Sequence, residues 1–456
     1  MRKCSTDLTM GNIARVVLTF AFPIFVGQIF QNLYNSVDSI VVGRYVGTTA
    51  LAAVSSCGNI SQLLVGFFVG LSAGASVLFA RYFGAKNYSV LEKAIHTATI
   101  FSIALGGVMA VAGILLTPQL LRLVQCPKNV WGEAETYLRI YFVGIMFTSV
   151  YNICSGVLQA VGDSKNPLKI LMSSSVLTIL LDLLFVVTLK MGVAGVGLAT
   201  ILSQGIYVLI IVRLMLVTND VFRIRLTKLR IDWQELKKIL QLGLPSAIQS
   251  SLISISNIFI QRYINGFGSA AMAGIGAGQK IDRFSGLMAQ SIGLASTTFV
   301  SQNIGAGKLK RTIRGINICL LLSVVSALVF ALPTYLFAFP LVRLFTADSD
   351  AIAFAVDMIH LMLPFFAFNA LQQIFSGVLR GFGYSQSVMV MSLIGMVGFR
   401  QLYLALTLGV EHRIFYLYMS FPVGWISAAL LVIAEYIIYI YIPYKKGKIA
   451  SDIVRG

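Results

Sequence analysis

The chain has 456 residues, of which 57% are hydrophobic and only 11% charged, with a formal net charge of +18. Soluble domains carry about 25% charged residues, so this composition excludes a soluble globular protein and places the chain in lipid. The excess Lys and Arg is concentrated in connections between apolar runs, where it reads as a topology signal and an affinity for anionic lipid rather than as nucleic-acid binding.

Six spans are predicted in the first half, at about 15–41, 51–80, 93–117, 134–160, 167–189 and 193–217. Each approaches or exceeds the roughly 20 residues that cross a bilayer, and a backbone that cannot bond to water must cross as a helix. A polar stretch with Arg223, Arg225, Lys228, Arg230, Asp232, Glu235, Lys237 and Lys238 follows. It reads as a solvated tether lying on anionic headgroups. Six further spans are predicted at about 239–263, 271–300, 311–336, 354–380, 386–408 and 414–442. The expectation is an all-α integral membrane protein of twelve transmembrane helices: an N-lobe bundle over 1–217, a cytoplasmic linker over 218–238, and a C-lobe bundle with a basic cytoplasmic tail over 239–456.

With the N-terminus inside, seven of the 35 Lys and Arg fall in the opposite loops and four within spans, which leaves 24 on the inner side. The positive-inside rule therefore predicts both termini in the cytoplasm. The polar start, Met1 to Met10, has no cleavable signal, so the first span is expected to remain as an anchor. Cys4, Cys57, Cys126, Cys154 and Cys319 are scattered without a CxxC and read as packing residues.

The two halves are a duplication. Ser155-Gly-Val-Leu-Gln-Ala-Val-Gly-Asp-Ser-Lys165 and Ser376-Gly-Val-Leu-Arg-Gly-Phe-Gly-Tyr-Ser-Gln386 align at an offset of 221, as do Gly84-Ala85 and Gly305-Ala306, while Pro23 matches Pro245 at 222. An even number of spans per half makes the six-helix repeats parallel, an arrangement that suggests a transporter with its site between or within the halves.

Ionisable groups at membrane depth are expensive, so each one is a functional candidate. Asp38 in the first span and Asp182 in the fifth are prominent. Gln31, Tyr34 and Asp38 share one helix face, and Thr178 and Asp182 share another. If those faces meet, the carboxylates form a proton or small-cation site, sodium included, because burial disfavours the ionised form and two acids together can share a proton. The bland alternative leaves Asp38 wet at a helix end and Asp182 bonded to a neighbouring helix. At the repeat offset Asp182 maps to Tyr403, and Asp38 to Phe259 or Ile260, so the fold does not need the acids twice. Pro23 either bends the first span or merely opens its helix. Lys280, Asp282 and Arg283 in the eighth span read equally as an interhelical salt bridge or as a substrate contact. Arg400, His360 and Asp357 take no assigned role.

Catalytic patterns are missing: there is no HExxH, no Gly-x-Ser-x-Gly and no Walker A sequence, and Gly192 to Gly197 lacks the preceding strand that a nucleotide loop needs. No enzyme and no cofactor are expected, and any pumping must draw on an ion gradient.

Taken together, Pro23, Val37-Asp38-x-Ile-x-Val-Gly43, Gln302-Asn-Ile-Gly-Ala306 and the paired Ser-Gly-Val-Leu segments resemble the multidrug and toxic compound extrusion (MATE) transporters. The resemblance covers essentially the whole chain. It implies a V-shaped, two-lobed antiporter that exports small cationic lipophilic compounds against protons or sodium. It assigns Asp38, Asp182, Thr178 and Thr200 to the coupling cation, with Gln31, Tyr34, Tyr137 and Asn152 as polar neighbours or substrate path. Thr178 stands where many members carry Asn. One branch places an acid where this chain has Asn369 and another carboxylate in span seven, where no Asp or Glu occurs from 236 to 281. Coupling through the N-lobe is therefore favoured.

The further expectations are a monomer in the plasma (inner) membrane and, as the rival function, a lipid-linked oligosaccharide flippase of the same superfamily. That rival would need several cavity arginines, whereas only Arg139, Arg283 and Arg400 lie within predicted spans away from their ends. A channel would need a repeated polar filter, which the sequence lacks.

Overall fold

A computed structural model describes residues 7–124, 126–409, 411 and 413–447. Expectations concerning Cys4 and the tail beyond Gly447 fall outside them. The first repeat supplies α1 (Ile13–Val46), α2 (Thr48–Gly84), α3 (Tyr88–Leu123), α4 (Trp131–Ala160), α5 (Lys165–Thr188) and α6 (Gly192–Val217). The second supplies α7 (Trp233–Asn265), α8 (Ser269–Gly305), α9 (Leu309–Leu336), a short helix Ala338–Arg343, α10 (Ser349–Phe382), α11 (Ser385–Leu408) and α12 (Ile414–Lys445). Each predicted span has its helix, and among the described residues there is no strand, so the twelve-helix, all-α fold of a multi-pass membrane protein is present. Eleven of these helices are long and apolar enough to cross a membrane; α8, 37 residues long but carrying Lys280, Asp282 and Arg283, is not among them. Those three form no ion pair among the described residues: Lys280 instead lies over the Phe345 ring at 5.9 Å, and Asp282 Oδ1 is buried without a partner.

The repeat is written into the backbone. Left-handed or otherwise positive-φ positions recur at the offset of 221: Gly47 with Gly268, Lys86 with Gly307, and Gly162 with Gly383. The shared Ser-Gly-Val-Leu segments also have a packing reason. A Cβ on Gly156 would collide with Ser72, and one on Gly377 would collide with the Gly293 carbonyl and Ser296, so in each repeat the fourth helix crosses the second at a point where only glycine fits.

The chain divides into two compact units inside α1 and α7: one comprises Val26–Ala247, the other Asp7–Phe25 and Ile248 onward. The leading part of each repeat's first helix thus packs in the unit built mainly from the other repeat. In the first unit, Gly70 and Gly74 of α2 press on the α7 backbone at Leu242, Gly243, Ser246 and Ala247. Ahead of that contact, Tyr82 Oη donates to Glu235 Oε2 at 2.8 Å, and Lys238 Nζ donates to Glu235 Oε1 at 2.9 Å. The second unit repeats the device with other chemistry. Val17, Phe20, Ala21 and Ile24 of α1 join Ile292, Ala295 and Phe299 of α8 in one core. Ahead of them, Leu8 N donates to Gln302 Oε1 at 3.1 Å and Asn303 Nδ2 to the Leu8 carbonyl at 3.3 Å. That pinning accounts for the Gln302-Asn303 motif. Pro23 is buried in α1 and Pro245 lies inside α7, each two residues before the end of the segment that packs with the other repeat. Among the described residues, Cys57, Cys126, Cys154 and Cys319 are buried free thiols.

The linker differs from the expected solvated tether. Phe222 and Ile224 are buried in the core of the first unit. His96 Nε2 accepts from Arg225 N at 3.0 Å, Thr97 Oγ1 accepts from Asp232 N at 3.0 Å, and Glu92 lies 3.6 Å from Arg225 and 3.7 Å from Lys228. Its basic residues therefore sit on a strap clamped to α3. Trypsin should cut the native linker slowly, and a His96→Ala/Thr97→Val variant should be cut several-fold faster at Arg225 to Arg230, because cleavage follows local opening. Equal digestion rates would show that these bonds do not hold the strap.

Candidate cation site

The site is assembled within the first unit from α1, α4, α5 and α6. Asp38 lies one turn before the wide π turn Val42–Val46 that ends α1, and Asp182 immediately precedes the π turn Leu183–Thr188 of α5. Such widened turns occur preferentially at functional positions, since the extra residue re-aims the side chains on either side. Asp182 is 1% exposed and neither of its carboxylate oxygens has a hydrogen-bond partner; Asp38 is half-buried with Oδ1 in the same state. The two carboxylates are near enough to interact electrostatically, and Tyr34 feels both.

No Lys or Arg lies within ion-pair distance of either acid among the described residues. Uncompensated buried charge costs several kcal/mol at membrane depth, so the pair can take up a proton or a small cation, which offsets that cost.

The expected neighbours divide into two groups. Tyr34 and Tyr137 belong electrostatically to the acids: Tyr137, 7% exposed, interacts with Asp38 and stacks on Tyr141 at 6.2 Å between ring centroids. Thr178 and Thr200 donate their hydroxyl hydrogens to other groups, which leaves oxygen lone pairs that a cation can use. Thr178 Oγ1 has the Ser174 carbonyl and Ser203 Oγ each at 2.9 Å, Ser203 Oγ donates to the Thr200 carbonyl at 2.9 Å, and Thr200 Oγ1 donates to the Val196 carbonyl at 3.0 Å. Asn152 Nδ2 donates to the Thr148 carbonyl at 2.8 Å, and Gln31 is exposed.

Tyr141, Tyr151 and Tyr207 complete an aromatic wall that the sequence reading missed. Tyr151 and Tyr207 meet edge to face at 4.5 Å, and all three act on Tyr34 or are acted on by it. The i, i+4 spacing of Tyr137 and Tyr141 on α4 was the available signal. Buried tyrosines beside carboxylates present rings to a lipophilic cation and hydroxyls to its counter-charge.

Apolar helices in duplicated halves, with two acids inside one unit whose buried oxygens lack hydrogen-bond partners among the described residues, define a multi-pass membrane transporter rather than a soluble binding protein. The family profile MatE matches residues 23–184 and again 245–403, beginning at the two paired prolines. A "Probable multidrug resistance protein YpnP" of Bacillus subtilis is 32% identical over 392 residues, covering 85% of this chain and 87% of that protein. The "Probable multidrug resistance protein YoeA" of the same organism is 29% identical, covering 82% of each. The solved outward-facing structure of a multidrug resistance MATE family transporter superposes with a TM-score of 0.88 at 22% identity, covering 97% of this chain and 99% of that one. The chain belongs to the MATE family, whose members are transporters.

If Asp182 has no donor in the protein, removing its charge relieves the fold. Asp182→Asn should raise the thermal midpoint of the purified protein by about 2–5 °C at neutral pH. A lowered midpoint would reveal that a protein donor supports the carboxylate.

Proposed function

We propose that this transporter exports small cationic lipophilic compounds from the cell in exchange for protons or sodium, and that Asp38 and Asp182 carry the coupling ion. The observation that supports this reading is the pair itself: two acids in the spans, near each other, with buried oxygens that lack a donor and with no Lys or Arg partner among the described residues. Such a pair is satisfied by a proton or sodium ion entering down its gradient and, alternatively, by an organic cation whose apolar body meets the tyrosines. Competition for the same negative charge is the simplest form of antiport, because each ligand lowers the affinity for the other.

Thr178 and Thr200 then act through α5 and α6, whose spacing the Thr178–Ser203–Thr200 bonds hold. Pro23, next to the point where α1 passes from one compact unit to the other, is the proposed hinge. The proposed setting is the plasma membrane, with both termini in the cytoplasm and one chain as the working unit. A membrane potential of 100 mV supplies about 2.3 kcal/mol per entering charge, which one-for-one exchange with a monovalent cation cancels, so the concentration gradient of the ion drives export.

The test uses proteoliposomes loaded with ethidium, driven first by an imposed pH gradient and then by a sodium gradient. Wild-type protein should export the dye under at least one gradient. Asp38→Asn and Asp182→Asn should each cut that rate by about ten-fold or more while reconstituting normally, the loss expected when a group of the coupling step is removed. Full gradient-driven efflux in Asp38→Asn contradicts the assignment.

A further inference from the structure

The second repeat holds a charge of the opposite sign in the equivalent place. Arg400 lies in α11, the counterpart of α5, three residues from the position that corresponds to Asp182. It directly follows the π turn Ile394–Phe399, just as Asp182 directly precedes one. Arg400 is 3% exposed, and no carboxylate lies within 4.0 Å of it among the described residues. Its Nη2 donates to Ser256 Oγ at 2.8 Å and Asn257 Oδ1 at 3.0 Å, while Nε is buried with no partner. Ser256 and Asn257 belong to α7, the counterpart of α1, about one turn before the residues that correspond to Asp38. The guanidinium is fixed by the Phe421 ring at 5.7 Å and by Gly424, where a Cβ would meet Arg400 Cδ at 3.4 Å.

Beside this cation is an open recess of about 490 Å³ lined by Leu252, Ile255, Ser256, Phe259, Leu393, Val397 and Gln401. Its size lies within the range of about 300–1,000 Å³ common for small-molecule pockets. Ser256 ties the recess to the charge. Its oxygen accepts from Arg400 Nη2 and, at 3.0 Å, from Gln401 Nε2, which uses both lone pairs and leaves the hydroxyl hydrogen as a donor. Asn257, with Oδ1 taken by Arg400, likewise offers its amide hydrogens. The polar end of an apolar recess therefore presents donors backed by an uncompensated cation. A simple tether between α7 and α11 would not need the charge, since a glutamine could bond the same two groups without the cost of burying a cation.

We propose that this recess in the second unit binds an amphipathic organic anion, with its carboxylate or phosphate head at Ser256, Asn257 and Arg400 and its apolar body against Leu252, Ile255, Phe259, Leu393 and Val397. The site is distinct from the acid pair and stands whether or not those acids couple transport. Chains of this description come from two sources, an anionic lipid or a dissolved compound.

The experiment uses the full-length protein in nanodiscs of zwitterionic lipid with 11-(dansylamino)undecanoate as probe, displaced by dodecanoate, dodecyl phosphate or dodecyltrimethylammonium. The two anions should displace the probe about ten-fold more tightly than the matched cation, the discrimination expected of a charge-assisted contact. Arg400→Gln should erase that preference, and Ser256→Ala should weaken it several-fold. Asn257→Asp, at an exposed side chain and thus tolerated by the fold, should abolish anion binding while ethidium binding stays unchanged. Equal displacement by cation and anions, or anion affinity unaltered in Ser256→Ala and Asn257→Asp, overturns the proposal. Discs containing phosphatidylglycerol separate the sources: loss of probe binding there identifies a lipid as occupant, and retained binding a dissolved compound, each consistent with an anion site.

Discussion

A charge inside the bilayer must be neutralised, paired or paid for, and this requirement organises everything distinctive in the chain. The helices themselves satisfy their backbone internally and need no charge at all. Against that background Asp38 and Asp182 are unnecessary to the fold, carry buried oxygens without a hydrogen-bond partner among the described residues, and stand beside Tyr34 and Tyr137, with Tyr141, Tyr151 and Tyr207 around Tyr34. Local structure gives them their setting: π turns abut or closely follow both acids, and the hydroxyls of α5 and α6 bond to helix carbonyls and to each other rather than to the carboxylates. In the proposed function the acids are left for a ligand.

The duplication explains why the rest of the molecule is so regular. Positive-φ residues recur at one offset, and the glycine of Ser-Gly-Val-Leu serves the same helix crossing in both repeats. The lead-in to each repeat's first helix is gripped by the second helix of the other repeat, through Tyr82 and Glu235 in one case and Gln302, Asn303 and Leu8 in the other. Scaffold positions thus keep their geometry twice, while charged positions differ: acids in the first repeat, Arg400 in the second. Function separates from fold by this divergence.

Much of this was legible in the sequence, and for identifiable reasons. Spans announce themselves because a bilayer demands about twenty apolar residues, and buried acids stand out because they are rare. The pairing of α1 with α5 through Asp38 and Asp182 was readable as face matching. Other features were hidden because they depend on contacts between distant segments. Where Thr178 and Thr200 send their hydroxyl hydrogens, across to Ser203 and back to the Val196 carbonyl, is decided only by the packing of α5 on α6. The linker's basic side chains are exposed, as their charge requires, but Phe222, Ile224, His96 and Thr97 anchor the backbone that carries them. Arg400 carried no motif at all; only its burial, its bonds to α7 and its place in the repeat give it meaning.

The central claim is that one negatively charged site is shared by the coupling ion and the exported cation. Its most direct test is the ion released when substrate binds: calorimetric titration of purified protein with tetraphenylphosphonium in buffers of different ionisation enthalpy, with and without sodium. The account predicts release of about one proton or one sodium ion per bound cation, and no release when Asp38 and Asp182 are both replaced by Asn. Binding without ion release, or with the same affinity in that double variant, would contradict it.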